Sequence, residues 1–288
     1  MLAELLVQHH CKLAEGPLWH PDEKVLYWTD IEGGRMYKFN PASGESSICY
    51  EGDRVGGMTL QPDGSLLLFM DRGAVKVWRG DLQETIHEDI PEERSTRFND
   101  VIADAHGRVL CGVISPAHRE GRLYSLAQNS DLTLLLENVG CSNGLAFINN
   151  DQQVYFTDST RGEIYLYDYD VDAGSLSSKR IFSKYPFPGA VPDGLTVDSE
   201  GYVWTAQWGG GCILRLNPQG KEDGRVIVPD TKNVTSVTFG GDDLSTLYIT
   251  TASVGDPESK NGGAIFTLRP GVAGVPEYRS NVTPAAAA

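Results

Sequence analysis

Three short stretches of the chain place an oxygen-bearing side chain directly before a glycine and a strand-like run. They are Ala14-Glu15-Gly16, Ser142-Asn143-Gly144 and Pro192-Asp193-Gly194. Carboxylate and amide oxygens are the donors that Ca²⁺, Mg²⁺ and Mn²⁺ prefer, and Zn²⁺ also accepts carboxylates. Three protein donors leave coordination positions for water and substrate, which is typical of a catalytic metal site. Such a site requires that these distant residues converge.

An internal repeat would bring them together. Six copies of one pattern fill the chain, each with a small-residue start, a strand, a turn and further strands. The period is roughly 41 to 50 residues, which is typical of four-stranded propeller blades. Segments such as Ile164-Tyr165-Leu166-Tyr167 alternate like strands, and no segment has a convincing helical period. The sequence therefore predicts an all-β, six-bladed β-propeller of four-stranded antiparallel blades, with residues 1–288 forming a single domain.

The repeat phase predicts where the polar residues lie. In a propeller the first strand of each blade lines the central channel, so residues at one phase meet at one mouth. That phase holds Glu15, Gly56, Asn99, Asn143, Asp193 and Thr235. Each polar residue taken alone could simply cap a turn. Because carboxylates crowded on an axis repel unless a cation neutralises them, the set of four favours a metal site.

The N-terminal run from Leu5 to Cys11 precedes the first repeat. We expect it to add an outer strand to the last blade and so close the ring, since closure covers an exposed strand edge. Asp30 and Asp158 end second strands at a shared phase, in Tyr-Trp-Thr-Asp and Tyr-Phe-Thr-Asp. We interpret them as hydrogen-bond acceptors that brace their blades. Similar motifs also occur in receptor propellers that only bind proteins, which leaves a non-enzymatic propeller as an alternative.

Several motifs together resemble the regucalcin/gluconolactonase (SMP-30-like) family of lactonases. They are Glu15-Gly16-Pro17-Leu18-Trp19, Arg97-Phe98-Asn99-Asp100, Ser142-Asn143-Gly144-Leu145, Pro192-Asp193-Gly194 and Phe239-Gly240-Gly241. The resemblance covers nearly the whole chain, and the segment from Trp204 to Gly210 is more like bacterial sugar lactone lactonases. It implies that Glu15, Asn143 and Asp193 are metal ligands and that Arg97 and Asn99 contact substrate. It also implies hydrolysis of a gluconolactone-like aldonolactone with Ca²⁺, Zn²⁺, Mn²⁺, Mg²⁺ or Fe²⁺.

The chemistry expected of these residue types is ester hydrolysis. A metal would polarise the lactone carbonyl, and Asp193 is the candidate to accept the proton of the attacking water. The Arg97 fork of donors suits sugar hydroxyls. Two further residues are candidates for substrate binding. Glu120 lies in the short loop 113–121, where some family members carry a substrate-contacting acid, and Trp208 could wall the pocket or pack in the core.

Composition excludes several other classes of protein. The formal net charge of −15 and a pI near 4.8 disfavour nucleic-acid binding. The chain has no apolar run long enough for a transmembrane helix, and its first residues lack the pattern of a signal peptide. Five scattered cysteines indicate reduced thiols, mostly buried, in a cytoplasmic protein. We expect a monomer whose partner is a small sugar lactone. A calcium-binding or protein-interaction propeller and a related esterase or organophosphatase are the alternatives.

Overall fold

Twenty-four strands build six four-stranded antiparallel sheets in the computed structural model, which describes residues 1–80, 82–184 and 189–284. Blade 1 contains β2 (Ala14–His20), β3 (Val25–Asp30), β4 (Arg35–Asn40) and β5 (Glu45–Glu51). Blade 2 contains β6 (Val55–Leu60), β7 (Leu66–Met70), β8 (Val75–Arg79) and β9 (Leu82–His87). Blade 3 contains β10 (Phe98–Ala103), β11 (Val109–Val113), β12 (Gly121–Leu126) and β13 (Leu132–Val139).

The second half of the ring repeats this order. Blade 4 contains β14 (Ser142–Ile148), β15 (Gln153–Asp158), β16 (Glu163–Asp170) and β17 (Ser175–Lys184). Blade 5 contains β18 (Val191–Val197), β19 (Val203–Trp208), β20 (Cys212–Leu216) and β21 (Glu222–Ile227). Blade 6 contains β22 (Val234–Gly240), β23 (Thr246–Thr251), β24 (Ala264–Leu268) and, on its outer edge, β1 (Glu4–Gln8). The predicted six-bladed propeller is confirmed.

The blades form a closed ring because each inner strand packs on the inner strands of both neighbours. The contacting series is β2, β6, β10, β14, β18, β22 and back to β2. One buried apolar cluster fills each gap between adjacent blades. Between blades 5 and 6, for example, Trp204 packs edge to face on Phe239 at 5.9 Å between ring centroids. Burial of these clusters supplies the driving force that holds the blades together.

The N-terminus closes the ring as expected. Strand β1 pairs antiparallel with β24, so the predicted outer strand of the last blade is confirmed. The residues before β1 also reach the neighbouring blade, where Leu2 bridges Ile227 and Ala3 N donates to Ile227 O at 2.9 Å. The outer edges of blades 5 and 6 are therefore joined by one short segment.

The two bracing aspartates behave as predicted. Asp30 Oδ1 accepts hydrogen bonds from Leu13 N at 2.9 Å and Gly33 N at 3.1 Å. Asp158 accepts from Gly140 N at 2.9 Å and Cys141 N at 3.1 Å. Each carboxylate thus fixes the chain that enters the inner strand of its own blade, and each also caps a short 3₁₀ turn.

A C-terminal segment, residues 272–284, crosses the ring at the end where the inner strands finish. We call this segment the strap, this end of the channel the far mouth, and the opposite end the near mouth. The strap hydrogen-bonds to the turn between the first and second strands of every blade. The partners are Asp22, Gln61, Gly107, Asp151, Ser199 and Leu244. It also carries Glu277 to the channel axis, where a cavity of about 50 Å³ is lined by Glu277 and the inner strands.

Two further observations concern the class of protein. Within the described residues, no helix has the length and apolar character needed to cross a membrane. None of the five cysteines forms a disulfide in this part of the chain: Cys11, Cys111 and Cys212 are buried, and Cys49 and Cys141 are partly exposed. The prediction of free, mostly buried thiols is therefore confirmed for the described structure.

Candidate active site

The predicted polar residues meet at the near mouth because all six inner strands are irregular at the same place. Each inner strand shifts its register with the second strand of its blade just after it begins, for example between Glu15 and Leu18 and between Asn143 and Leu145. A bulge of this kind re-aims side chains that regular alternation would place on a sheet face. Six bulges at one phase therefore turn one residue of each blade toward the axis.

Glycines allow the inner strands to approach each other at this level. A Cβ on Gly144 would lie 2.5 Å from Leu195 N, and one on Gly194 would lie 2.1 Å from Ser236 Oγ. Gly16 has a φ of +52°, a left-handed conformation that favours glycine. Close strand packing thus requires the glycine after Asn143 and after Asp193, and backbone conformation favours the one after Glu15, which explains the sequence signature that first singled out these residues.

A chain of hydrogen bonds joins the predicted substrate residues to a predicted metal ligand. Arg97 Nη1 donates to Asn99 Oδ1 at 2.6 Å, and Asn99 Nδ2 donates to Asn143 Oδ1 at 2.8 Å. Asn143 Nδ2 in turn donates to Ser159 Oγ at 2.8 Å. The last bond fixes the orientation of the Asn143 amide, with its oxygen toward Asn99. One lone pair of that oxygen remains for a cation.

Glu15 and Asp193 place two buried carboxylates at the same mouth, with 4% and 6% of their surface exposed. Desolvation, followed by repulsion from Asp193 and Asp100, raises the pKa of Glu15 well above its usual value. Desolvation and Asp100 likewise raise the pKa of Asp193, while Arg97 opposes this shift. Two buried acids that disfavour each other's charge are the environment in which a cation would be stabilised.

The donor set fits a hard divalent cation. Glu15, Asp193 and Asn143 offer two carboxylates and one amide oxygen, and the Glu15 carboxylate also accepts from Gly16 N at 3.0 Å. Among the described residues, no three His, Cys, Asp or Glu side chains cluster as a metal site would require. The Asn143 amide is the candidate for the third protein donor, and oxygen donors of this kind suit Ca²⁺, Mg²⁺ or Mn²⁺ better than a thiophilic ion.

The remaining residues of the same phase hold the blades together. Thr235 donates its hydroxyl to Ala14 O at 2.6 Å and so links blade 6 to blade 1 beside Glu15. At Gly56 a Cβ would lie 2.0 Å from Phe98 O, so only glycine fits. Thr235 and Gly56 therefore shape the near mouth but supply no ligand to a cation there.

Asp100 is a site residue that the sequence interpretation quoted but gave no role. It follows Asn99 at the phase where blades 1, 2, 4 and 5 carry glycine and blade 6 carries Ser236. Its carboxyl lines the axial cavity together with Glu277 of the strap. Desolvation raises the pKa of Asp100 to about 7, against the opposing influence of Arg97. The departure from glycine in one blade was the available signal.

The two peripheral candidates lie on the rim. Trp208 ends β19, pairs with Val191 two residues before Asp193, and stands beside Gly255 of the 252–263 loop. Glu120 follows the loop after β11 and is bound by Arg161, whose Nη2 donates to both carboxylate oxygens at 2.8 and 3.0 Å. The structure thus places Glu120 near the mouth with its charge already paired. Residues 185–188, between β17 and β18 in the sequence, lie outside the described residues.

Two larger cavities, of about 280 and 780 Å³, open beside the strap. Both lie at the far mouth, lined in part by Val275, Pro276 and Glu277, away from Glu15 and Asp193. Neither cavity is lined by Glu15, Asn143 or Asp193. Donor chemistry therefore identifies the candidate site better than cavity size does.

Comparison with known proteins shows the family and the fold of the chain. The model of the SMP-30/gluconolactonase/LRE-like region matches residues 13–253. The pentonolactonase XacC of Haloferax volcanii is 43% identical over 293 residues, covering 98% of this chain and 99% of its own. The 6-deoxy-6-sulfogluconolactonase of Pseudomonas putida is 33% identical and covers 86% of each chain. A solved luciferin-regenerating enzyme superposes with a TM-score of 0.87 at 26% identity, covering 98% of this chain and 99% of its own.

Proposed function

Because this chain belongs to the SMP-30/gluconolactonase/LRE-like family, we propose that it is a metal-dependent sugar lactone lactonase. The reaction opens the ring ester of an aldonolactone and gives the aldonic acid. One observation carries the proposal: two buried carboxylates and an oriented amide oxygen converge at the near mouth of the channel. Relatives named as lactonases across nearly the whole chain support the same reaction class.

Glu15, Asn143 and Asp193 are the residues that would hold the cation. When bound, a divalent ion supplies Lewis-acid polarisation of the lactone carbonyl. Asp193 is proposed to accept a proton from the water that attacks the carbonyl carbon. The ring C–O bond then breaks, and the proton passes to the departing alkoxide oxygen.

Arg97 is proposed to bind and orient the sugar. Within the described structure only its Nη1 donates, to Phe98 O at 3.0 Å and to Asn99 Oδ1. Its Nε and Nη2 groups therefore remain for substrate hydroxyl or carbonyl oxygens. Arg97 is only 7% exposed, and hydrogen bonds made in such a partly desolvated environment are stronger than those made in water. Asn99 accepts a hydrogen bond from Arg97 and donates one to Asn143, and it therefore fixes the positions of both side chains.

A lactone panel tests the function directly. We expect acid release from pentonolactones and from gluconolactone, measured by the fall in pH against the buffered spontaneous rate. EDTA should abolish the enzymatic rate, and adding back single divalent ions should restore it and rank them. Absence of turnover on every aldonolactone with every ion tried would overturn the proposal and favour a binding propeller.

We also propose that the protein works as a monomer in the cytoplasm. Five thiols without a disulfide in the described structure suit a reducing compartment. Light scattering during size-exclusion chromatography tests the monomer, and cell fractionation of the native protein tests the compartment. A dimer mass or an extracellular pool would contradict these two points without affecting the lactonase reaction.

A further inference from the structure

The loop between β11 and β12 begins beside Arg97 of the candidate site. We call residues 114–120 the rim loop. Ile114 N donates to Arg97 O at 3.2 Å, and Ile114 forms a bridge with Cys141 on the other side. Thr96 Oγ1 donates to Ile114 O at 2.9 Å. The root of the rim loop is therefore fixed beside Arg97 at the near mouth.

A buried carboxylate anchors the loop on the side of blade 3. The Glu93 side chain is fully buried and is bound by Arg119 from the loop, by Arg122 at 3.2 Å and by the Tyr124 hydroxyl at 2.6 Å. Removing one partner of such a buried ionic group is costly, because the other is left without compensation. This anchor makes Arg119 a fixed point of the loop.

The end of the loop is held on blade 4 by a different kind of contact. Arg161 Nη2 donates to both oxygens of Glu120, and the two side chains are 34% and 46% exposed. A pair this exposed adds little to stability. Its consequence is geometric, since it joins two neighbouring blades across the rim of the mouth.

Arg161 connects this pair to the candidate metal ligand. Its Nη1 donates to Asp158, the carboxylate that also holds Gly140 N and Cys141 N. Arg161 belongs to the 3₁₀ turn Ser159–Arg161, and Ser159 Oγ accepts from Asn143 Nδ2 at 2.8 Å. An unbroken series of polar contacts and one short turn therefore connects Glu120 to Asn143.

We propose that the Glu120–Arg161 pair is a latch that closes the rim loop over the site, with both residues acting as positioning residues for substrate. This inference rests on the proposed lactonase function. It differs from a direct contact between Glu120 and the sugar, because here both Glu120 oxygens are engaged by Arg161. The guanidinium fork is essential, since it reaches Glu120 and Asp158 at once, which a lysine ammonium cannot reproduce with the same geometry.

Kinetics of four variants test the latch. Glu120→Gln, Arg161→Lys and Arg161→Gln should each raise KM about two- to five-fold, the size expected for an exposed ion pair, with kcat little changed. The double variant Glu120→Gln with Arg161→Gln should be no worse than Arg161→Gln alone, since the pair with Glu120 is already lost in that single variant. Arg180→Gln is the matched control, because it removes a pair with Asp168 of similar exposure on the outer edge of blade 4. Its KM should not change.

A direct sugar contact by Glu120 predicts otherwise. Glu120→Gln would then raise KM, Arg161→Lys would not, and the effects of the two residues would add. Salt gives a second readout, because an exposed pair is screened at high ionic strength and the lactone is neutral. The KM of the wild-type protein should rise with added NaCl, and that rise should vanish in Glu120→Gln.

A readout without turnover keeps this inference separate from the lactonase proposal. A non-specific protease should cut the folded protein within residues 115–118 faster in Arg161→Gln than in the wild type or in Arg180→Gln. Equal cleavage rates, together with an unchanged KM, would overturn the latch while leaving lactonase activity in place. Faster cleavage in a protein with no lactone turnover would support the latch and refute the proposed function.

Discussion

Asn99 of blade 3 donates its amide hydrogen to Asn143 Oδ1 of blade 4 at 2.8 Å. This one contact joins a residue proposed to orient substrate through Arg97 to a residue proposed to hold the cation. The two residues are 44 positions apart in the chain and stand at the same repeat phase. Loss of either side chain should therefore impair both binding and catalysis.

Asn99→Ala should weaken divalent-cation binding about 10- to 100-fold, because losing the partner of a metal ligand typically costs that much affinity. The Asn143 amide would lose the donor that fixes its oxygen. Isothermal titration calorimetry of the metal-free protein measures the change, with Gln219→Ala in an exposed turn as the control. Unchanged affinity would show that Asn143 is held by Ser159 alone.

Asp193→Asn should separate activity from stability. Loss of the base and of a charged ligand should lower kcat by about 10²-fold or more. In the metal-free protein the same change removes the repulsion that raises the pKa of Glu15, so the melting temperature should rise. Steady-state kinetics and calorimetry in EDTA measure the two effects. Full activity in this variant would remove Asp193 from the mechanism.

The metal-free protein should be more stable at pH 5.5 than at pH 8. The folded-state pKa values of Glu15, Asp193 and Asp100 all lie above their unfolded values, and that of Asp100 is about 7. Raised carboxyl pKa values give stability that is complete below the unfolded value and is lost as the pH rises through the folded one. A saturating divalent ion should raise the melting temperature most at pH 8.

Asp100→Asn provides the control for that pH dependence. It removes one of the three acids without altering the proposed ligands, so the difference in melting temperature between pH 5.5 and 8 should shrink. Thermal unfolding in EDTA at pH values from 5.5 to 8 measures this difference in melting temperature for both proteins. If the metal-free wild type instead became more stable from pH 5.5 to 8, burial of these acids would not control the pH dependence of its stability.

Gly144→Ala tests the close packing of the inner strands. Its Cβ would lie 2.5 Å from Leu195 N and 2.8 Å from Asp193 O, both backbone atoms. Overpacking of this kind costs about 1–3 kcal/mol, and the shift should also displace Asp193 and weaken cation binding. Gly224→Ala in β21 is the matched control, since the nearest atom to its Cβ is 3.8 Å away. Chemical denaturation should show a loss only for Gly144→Ala.

The sequence predicted the propeller and its closure because both depend on local, repeated patterns. Turn residues and alternating strands recur in every blade, and the phase of Glu15, Asn143 and Asp193 relative to those strands places them at one mouth. The bulges that re-aim these residues were not predicted, although the glycines that accompany them are visible in the sequence. Asp100 was missed because its meaning comes only from comparison with the glycines of other blades.

The surroundings of Glu120 could not be predicted by the same means. Its partner Arg161 lies 41 residues away on another blade, and no periodic pattern relates the two. The strap is a similar case, since residues 272–284 belong to no repeat and contact a different blade at nearly every step. Contacts made once, between unrelated parts of the chain, leave no signature in a single sequence.

Because of the strap, the two faces of the ring differ in how well they tolerate insertions and deletions in their loops. Every first turn at the far mouth is bonded to it, so lengthening any one of them would shift the segment that brings Glu277 beneath the site. Loops at the near mouth, such as 114–120 and 252–263, lie on the opposite face. Insertions and deletions in those loops could therefore alter which lactone is accepted while the strap holds the scaffold constant. Diversification of this enzyme, natural or engineered, is expected to proceed from one face only.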